Sequence, residues 1–192
     1  VLLPEIVLAS GICVLLVLDL FVRDSARDLT YLLAIFLLAG VAWVLIGTSP
    51  ESTAQLAAGG AYVADDLARV LKLFAVTAVA TVFLYSRAWL RSRKLHFGEY
   101  YVLGLFGLLG VMVLASGYSL LVSYIGLEIL SLSLYAMVAF DRDSARSAEA
   151  AMKYFVLGAI ASGTLLYGMS LVYGITGTLQ IGELQTAIAA RS

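Results

Sequence analysis

The sequence predicts an all-α, polytopic transmembrane helix bundle of six spans. Apolar residues make up 62% of the 192 positions and charged residues 13%, about half the charged share of an ordinary soluble domain. Mean hydropathy is +0.99, so there is too little polar surface to coat a water-soluble globule. Third, apolar residues run on consecutive positions, as in Leu120-Leu121-Val122 and Leu165-Leu166-Tyr167. That pattern lacks the period-two alternation of a membrane barrel and leaves helices to satisfy the backbone in lipid.

A hydrocarbon core about 30 Å thick needs about 20 residues of apolar helix. Six stretches qualify, at 2–22, 30–47, 67–90, 99–116, 118–140 and 148–174. The connection 48–66 is rich in Gly, Ala, Ser and Thr and is expected to be a plain loop. From Gly177 the chain turns polar. Leu179, Ile181, Leu184 and Ile188 could form one face of a short surface helix, and a loop is the other reading. This organisation divides into 1–98, three helices with a basic loop; 99–175, helices four to six; and 176–192, an outer polar segment.

Lys and Arg set the direction of the spans. Connections one, three and five hold Arg23, Arg27, Arg87, Arg91, Arg93, Lys94, Arg142 and Arg146, whereas 48–66 and the turn near Gly117 hold none. By the positive-inside rule these three loops are cytoplasmic and the N-terminus lies outside. A net charge of −1 supplies no basic surface for nucleic acid. Cys13 is alone, so the sequence offers no disulfide or cysteine metal site, and it is expected in the core or against lipid. His96, in the run Arg91-Ser92-Arg93-Lys94-Leu95-His96, is expected on a solvated loop. No cleaved signal peptide is expected at the start.

Two ionisable residues stand out within the later spans. Glu128 lies about 15 Å from the outer end of its helix at 1.5 Å per residue, near the middle of the bilayer. An acid at that depth is costly, and is expected to face a bundle interior and to function there. Tyr124, Ser131 and Tyr135 fall on its face by helical spacing, a stripe of hydroxyls that could hold water and relay protons. The plainer reading is a neutral, hydrogen-bonded carboxyl that joins helices. Lys153 opens the sixth span, and spacing alone favours a snorkelling stem or an i, i+4 pair with Glu149. Small residues at Gly158, Ser162, Ala159 and Gly163, and at Gly104, Gly107 and Gly110, signal close helix packing. Arg69 and Lys72, behind Asp65 and Asp66, are expected on a solvated outer rim, with Glu5 and Asp19 at the two interfaces of the first span.

The segment Gly126-Leu127-Glu128-Ile129-Leu130-Ser131-Leu132-Ser133-Leu134-Tyr135-Ala136, followed by Ser147-Ala148-Glu149-Ala150-Ala151-Met152-Lys153-Tyr154-Phe155, resembles the subunit N family of proton-pumping NADH:quinone oxidoreductases. Leu166-Tyr167-Gly168, Tyr173-Gly174 and Thr176-Gly177 are similar to it too, as are Leu3-Pro4-Glu5 and Phe97-Gly98-Glu99-Tyr100-Tyr101. The resemblance implies the N-terminal part of an antiporter-like subunit of a bacterial inner membrane. Its neighbours would be other membrane-arm subunits and the lipid bilayer. It also implies that Glu128 and Lys153 belong to proton translocation coupled to electron transfer from NADH to quinone, and reverses the preference for a snorkelling Lys153. FMN, iron-sulfur clusters and quinone are expected in other subunits, with no cofactor or metal held by this chain. Serine at 133 departs from the proline common in the family. The family's broken seventh helix and second half-repeat are absent, so the chain is expected to be part of a longer subunit. A subunit of a multi-component cation/proton antiporter, or a non-catalytic packing subunit, are the rival readings.

Overall fold

The computed structural model describes residues 2–21, 28–47, 55–93 and 98–189. Among them lie six helices long and apolar enough to cross a membrane. These are α1 (Leu3–Phe21), α2 (Asp28–Gly47), α3 (Asp66–Ser92), α4 (Gly98–Ser116), α5 (Leu120–Val138) and α6 (Ala145–Thr176), followed by the short α7 (Ile181–Ala189). The expected spans are all present, and α6 runs longest. His96, Arg23, Arg27, Lys94 and Arg191, with 48–54 of the first outer connection, fall outside the described residues.

Local chemistry sets the helix ends. Asp65 caps α3 by accepting from the Ala68 amide at 2.7 Å, and Ser144 caps α6 by accepting from the Ser147 amide. These side chains satisfy amides that have no partner inside the helix. α6 ends on Gly177, whose φ of 73° lets its amide turn back to the Tyr173 carbonyl at 2.7 Å. A residue with a Cβ would be strained in that conformation. Ser133, where the family commonly has proline, donates to the Ile129 carbonyl at 2.9 Å, and α5 continues unbroken through it.

The helices α1 to α4 form one packed group in which α4 touches α1, α2 and α3, while α5 lies along α4 and α6 along α5. Leu8, Ile12, Leu38, Phe83, Tyr101, Leu105 and Met112 form the buried centre. Lipid is as apolar as these side chains, so close fit rather than water exclusion holds such helices together. The glycines show that fit. A Cβ on Gly110 would stand 2.6 Å from the Leu130 amide nitrogen, and one on Gly126 would stand 2.8 Å from that of Leu114. The α4 and α5 backbones are therefore in direct contact. Phe83 fills the notch at Gly104 in the same way. α6 differs, because only Ala151 along it is buried.

The connection after α2 is more than a loop. Residues 55–57 (β1) and 62–64 (β2) pair antiparallel across a turn at 58–61. Gly59 and Gly60 adopt positive φ there, the freedom that the Gly-rich composition supplies. This hairpin joins the α4–α5 turn through Tyr118, whose amide donates to the Ala61 carbonyl at 2.9 Å. The segment after α6 joins the same turn, with Leu120 donating to Leu179 at 3.0 Å and Ile181 to Tyr118 at 3.1 Å. Of the two readings for 176–192, the helix is the one found, at 181–189. Leu179 and Leu184 are half-buried, while Ile181 and Ile188 remain exposed.

Candidate functional site

Glu128 projects from the middle of α5 towards α6, half-buried. Its carboxylate accepts a hydrogen bond from Ser162 of α6. The Ser162 hydroxyl in turn lies 3.0 Å from that of Tyr124, one turn earlier on α5. A hydroxyl, a second hydroxyl and a carboxylate thus form a continuous hydrogen-bonded line across the helix interface. Each hydroxyl can donate and accept at once, so the line can pass a proton as well as hold a carboxyl. Tyr124 stands where the face of Glu128 was expected to carry it. Tyr135 also turns to α6, but packs edge-on against Tyr154 with centroids 4.8 Å apart and lies over Gly158. Sequence reasoning counted Ser162 as a small packing residue, because a serine in a helix-packing stripe carries no sign of its partner.

Lys153 points elsewhere. Its ammonium pairs with Glu149 at 2.5 Å on the exposed surface of α6, the pairing that i, i+4 spacing favours. Ser162 lies nine residues from Lys153 along α6, about 14 Å at the usual helical rise. The chain does not bring Glu128 and Lys153 together.

The larger correction lies at the hairpin end. Lys72 does not stand on a solvated rim, and Glu5, in the first turn of α1, is not exposed there either. The two are buried against each other, Nζ to Oε1 at 2.7 Å, with side chains 4% and 7% exposed. Lys72 also donates to the Tyr62 hydroxyl at 3.0 Å, and Tyr62 comes from β2 of the hairpin. Burial first, and then the carboxylate of Glu5 that it faces, push the Tyr62 phenol above its ordinary range; Ser116 at the end of α4, also in contact, pulls the other way. Neither charge was placed correctly from sequence because both lie within two turns of a helix end, where exposure is the usual outcome. The signal that could have found them is the tyrosine of the hairpin, which supplies the lid. Arg69 is not simply solvated either. It donates to the carbonyls of Leu45 and Ile46 at 2.8 and 3.0 Å, capping the C-terminus of α2.

At the opposite end, Asp28 pairs with Arg87 and Arg91, and Glu99 with Arg142 at 2.5 Å. Asp19 accepts from Thr30 at 2.7 Å and lies against Gly98. Cys13 is exposed on the side of α1.

A family described as NADH:quinone oxidoreductase/Mrp antiporter, transmembrane, matches residues 117–192, the stretch that holds Glu128, Ser162 and Lys153. NADH-quinone oxidoreductase subunit N of Thioalkalivibrio sulfidiphilus is 56% identical over 182 residues, 94% of this chain and 38% of that protein. The subunit N of Thiobacillus denitrificans is 52% identical over 95% of this chain and 38% of its own length. Among solved structures, respiratory complex I from Thermus thermophilus with bound aureothin superposes with a TM-score of 0.76 at 30% identity, over 93% of this chain and 38% of that one. The archaeal membrane-bound sulfane sulfur reductase shares the fold at a TM-score of 0.72 and 23% identity, over 95% of this chain and 38% of that one. This chain spans about two fifths of the length of the curated relatives it matches.

Proposed function

We infer, from its 56% and 52% identity to subunit N of two NADH-quinone oxidoreductases, that this chain belongs to that family and forms part of a proton-translocating membrane subunit. That subunit couples electron transfer from NADH to quinone with proton movement across a bacterial inner membrane. Glu128 is the proton-binding group, and Ser162 and Tyr124 are the hydroxyls that serve it. The observation that carries this reading is the hydrogen-bonded line from Tyr124 through Ser162 to Glu128 between two membrane-spanning helices. A structural acid needs one donor; a line of exchangeable hydroxyls is what proton relay requires. The redox groups, FMN and iron-sulfur clusters, and the quinone belong to other subunits, as do the partners of the membrane arm. Loops one, three and five face the cytoplasm.

Lys153 is the second proton-handling residue in this reading. Its present partner, Glu149, holds it at the surface of α6, so it acts towards whatever covers that face of the helix and not directly on Glu128.

Proton uptake into vesicles, measured beside NADH-driven quinone reduction in the whole complex, tests both assignments. Glu128→Gln keeps shape and hydrogen bonding but removes the titrating acid, so the complex should assemble and lose uptake. Glu128→Asp should lose less. Lys153→Arg should fail together with Lys153→Met, since guanidinium stays charged through a cycle. Full uptake with Glu128→Gln overturns the central assignment; wild-type behaviour in both Lys153 variants returns that residue to a surface pair. The matched family also includes cation/proton antiporters, which supports a second reading as an antiporter subunit. Failure of the chain to copurify with NADH-oxidising subunits would favour it.

A further inference from the structure

The Glu5, Lys72, Tyr62 and Ser116 cluster has no part in the function proposed above, yet it brings an acid and an amine together in the packed interior. A buried ion pair seldom repays its desolvation, and apolar residues of similar volume commonly hold helices together as well or better. Ionisable groups kept inside a membrane bundle therefore point to proton or ion chemistry. The groups suit it. Lys72 lies between two proton acceptors, the Glu5 carboxylate at 2.7 Å and the Tyr62 hydroxyl at 3.0 Å.

Polar side chains also lead from this cluster towards Glu128. Ser116 and Ser119 are buried at the α4–α5 turn. The Ser123 hydroxyl lies against Gly117, 2.8 Å from where a Cβ would stand. Tyr124 follows it and reaches Glu128 through Ser162. From Ser119 to Tyr124 is about 7.5 Å of helix.

The geometry points to a second proton-exchanging site in this chain, the Glu5, Lys72 and Tyr62 cluster, on the side of the α4–α5 turn from which Tyr124 and Ser162 lead to Glu128. It rests on the reading of Glu128 as a proton carrier. In the exchange, the Lys72 ammonium gives a proton directly to the Glu5 carboxylate, 2.7 Å away. Ammonium and carboxylate become amine and carboxylic acid, and the net charge stays at zero. Loss of that proton from Glu5 and return of one to Lys72 restore the pair.

The test uses the intact complex in vesicles. The Glu5→Gln/Lys72→Met double variant removes both charges together and so leaves neither one buried alone. It should assemble and reduce quinone, but lose most of its proton uptake per quinone. Tyr62→Phe should assemble and lose uptake in the same direction. Wild-type uptake in the assembled double variant overturns the inference and makes the cluster a strut for the hairpin. If the double variant fails to assemble, Tyr62→Phe decides, and wild-type uptake there overturns the inference equally. Glu128→Gln separates this outcome from the wider reading. Full uptake in that variant removes the proposed function itself, whereas loss there beside normal uptake in the cluster variants removes only the second site.

Discussion

Glu5 and Glu128 are both acids in an apolar bundle, and the chain treats them in opposite ways. Glu5 is sealed among α1, α3 and the hairpin with a lysine on its carboxylate. Glu128 is half-buried at the looser α5–α6 interface, with the Ser162 hydroxyl on its carboxylate and that of Tyr124 beyond it. The difference follows from packing. α1 to α4 enclose one another, so a charge placed among them must bring its counter-charge. Among the described residues α6 rests mainly on α5, and an acid between those two can keep an open side.

The largest expected effect sits on the Glu5 side. Lys72→Met should lower the stability of the assembled subunit by about 3–5 kcal/mol, because it strands a buried carboxylate. Thermal melting of the purified complex reads this directly. Adding Glu5→Gln should recover most of the loss, since the stranded charge disappears. If Lys72→Met alone melts like the wild type, Glu5 is reached by water and the contrast between the two acids is gone.

Packing supplies the next test. Gly126→Val should cost about 1–3 kcal/mol, a typical penalty for overfilling a tight interface, because the α4 backbone already stands 2.8 Å from where its Cβ would go. Loss of the α4–α5 contact should appear as a lower melting temperature and faster proteolysis at the turn 117–119. An unchanged melting temperature would mean that the α4–α5 interface can open cheaply.

A smaller effect is expected at Glu128. Ser162→Ala removes one hydrogen bond to a charged group, worth about 1.5–3 kcal/mol at most and less where water can replace the hydroxyl. The stability change should therefore fall below that of Lys72→Met, while proton uptake drops. A stability loss equal to that of Lys72→Met would show that Glu128 is as sealed as Glu5.

The spans, and Glu128 at mid-span, were legible because bilayer thickness and helical rise turn a stretch of apolar residues into depth. Tyr124 was legible because i−4 spacing fixes its face. The partner of Glu128 was not, since which residue of α6 meets it depends on the offset between two helices, and no local pattern encodes that offset. The Glu5 and Lys72 pair was hidden for a related reason. One residue opens α1 and the other lies in the second turn of α3, sixty-seven positions apart, and the hairpin that covers them read as a Gly-rich loop. Lys153 shows the reverse case, because its pairing with Glu149 is set by spacing within one helix and was one of the two readings that spacing offered.

The smallest expected effect has an informative sign. Gly163 on α6 has nothing within 4 Å of where a Cβ would lie, although it belongs to the same kind of small-residue stripe as Gly110 on α4. With no neighbour, Gly163→Ala should gain about 0.8–1 kcal/mol from helix propensity alone. With a neighbouring helix at close approach, the same substitution should lose stability as Gly126→Val does. Melting the variant in the assembled complex separates these outcomes. A gain would mean that the Gly163 face of α6 meets lipid there. A loss would mean that a further helix, of the same subunit or of a neighbour, lies against α6 at backbone distance, and would place that helix within reach of Ser162, one residue away along the same turn.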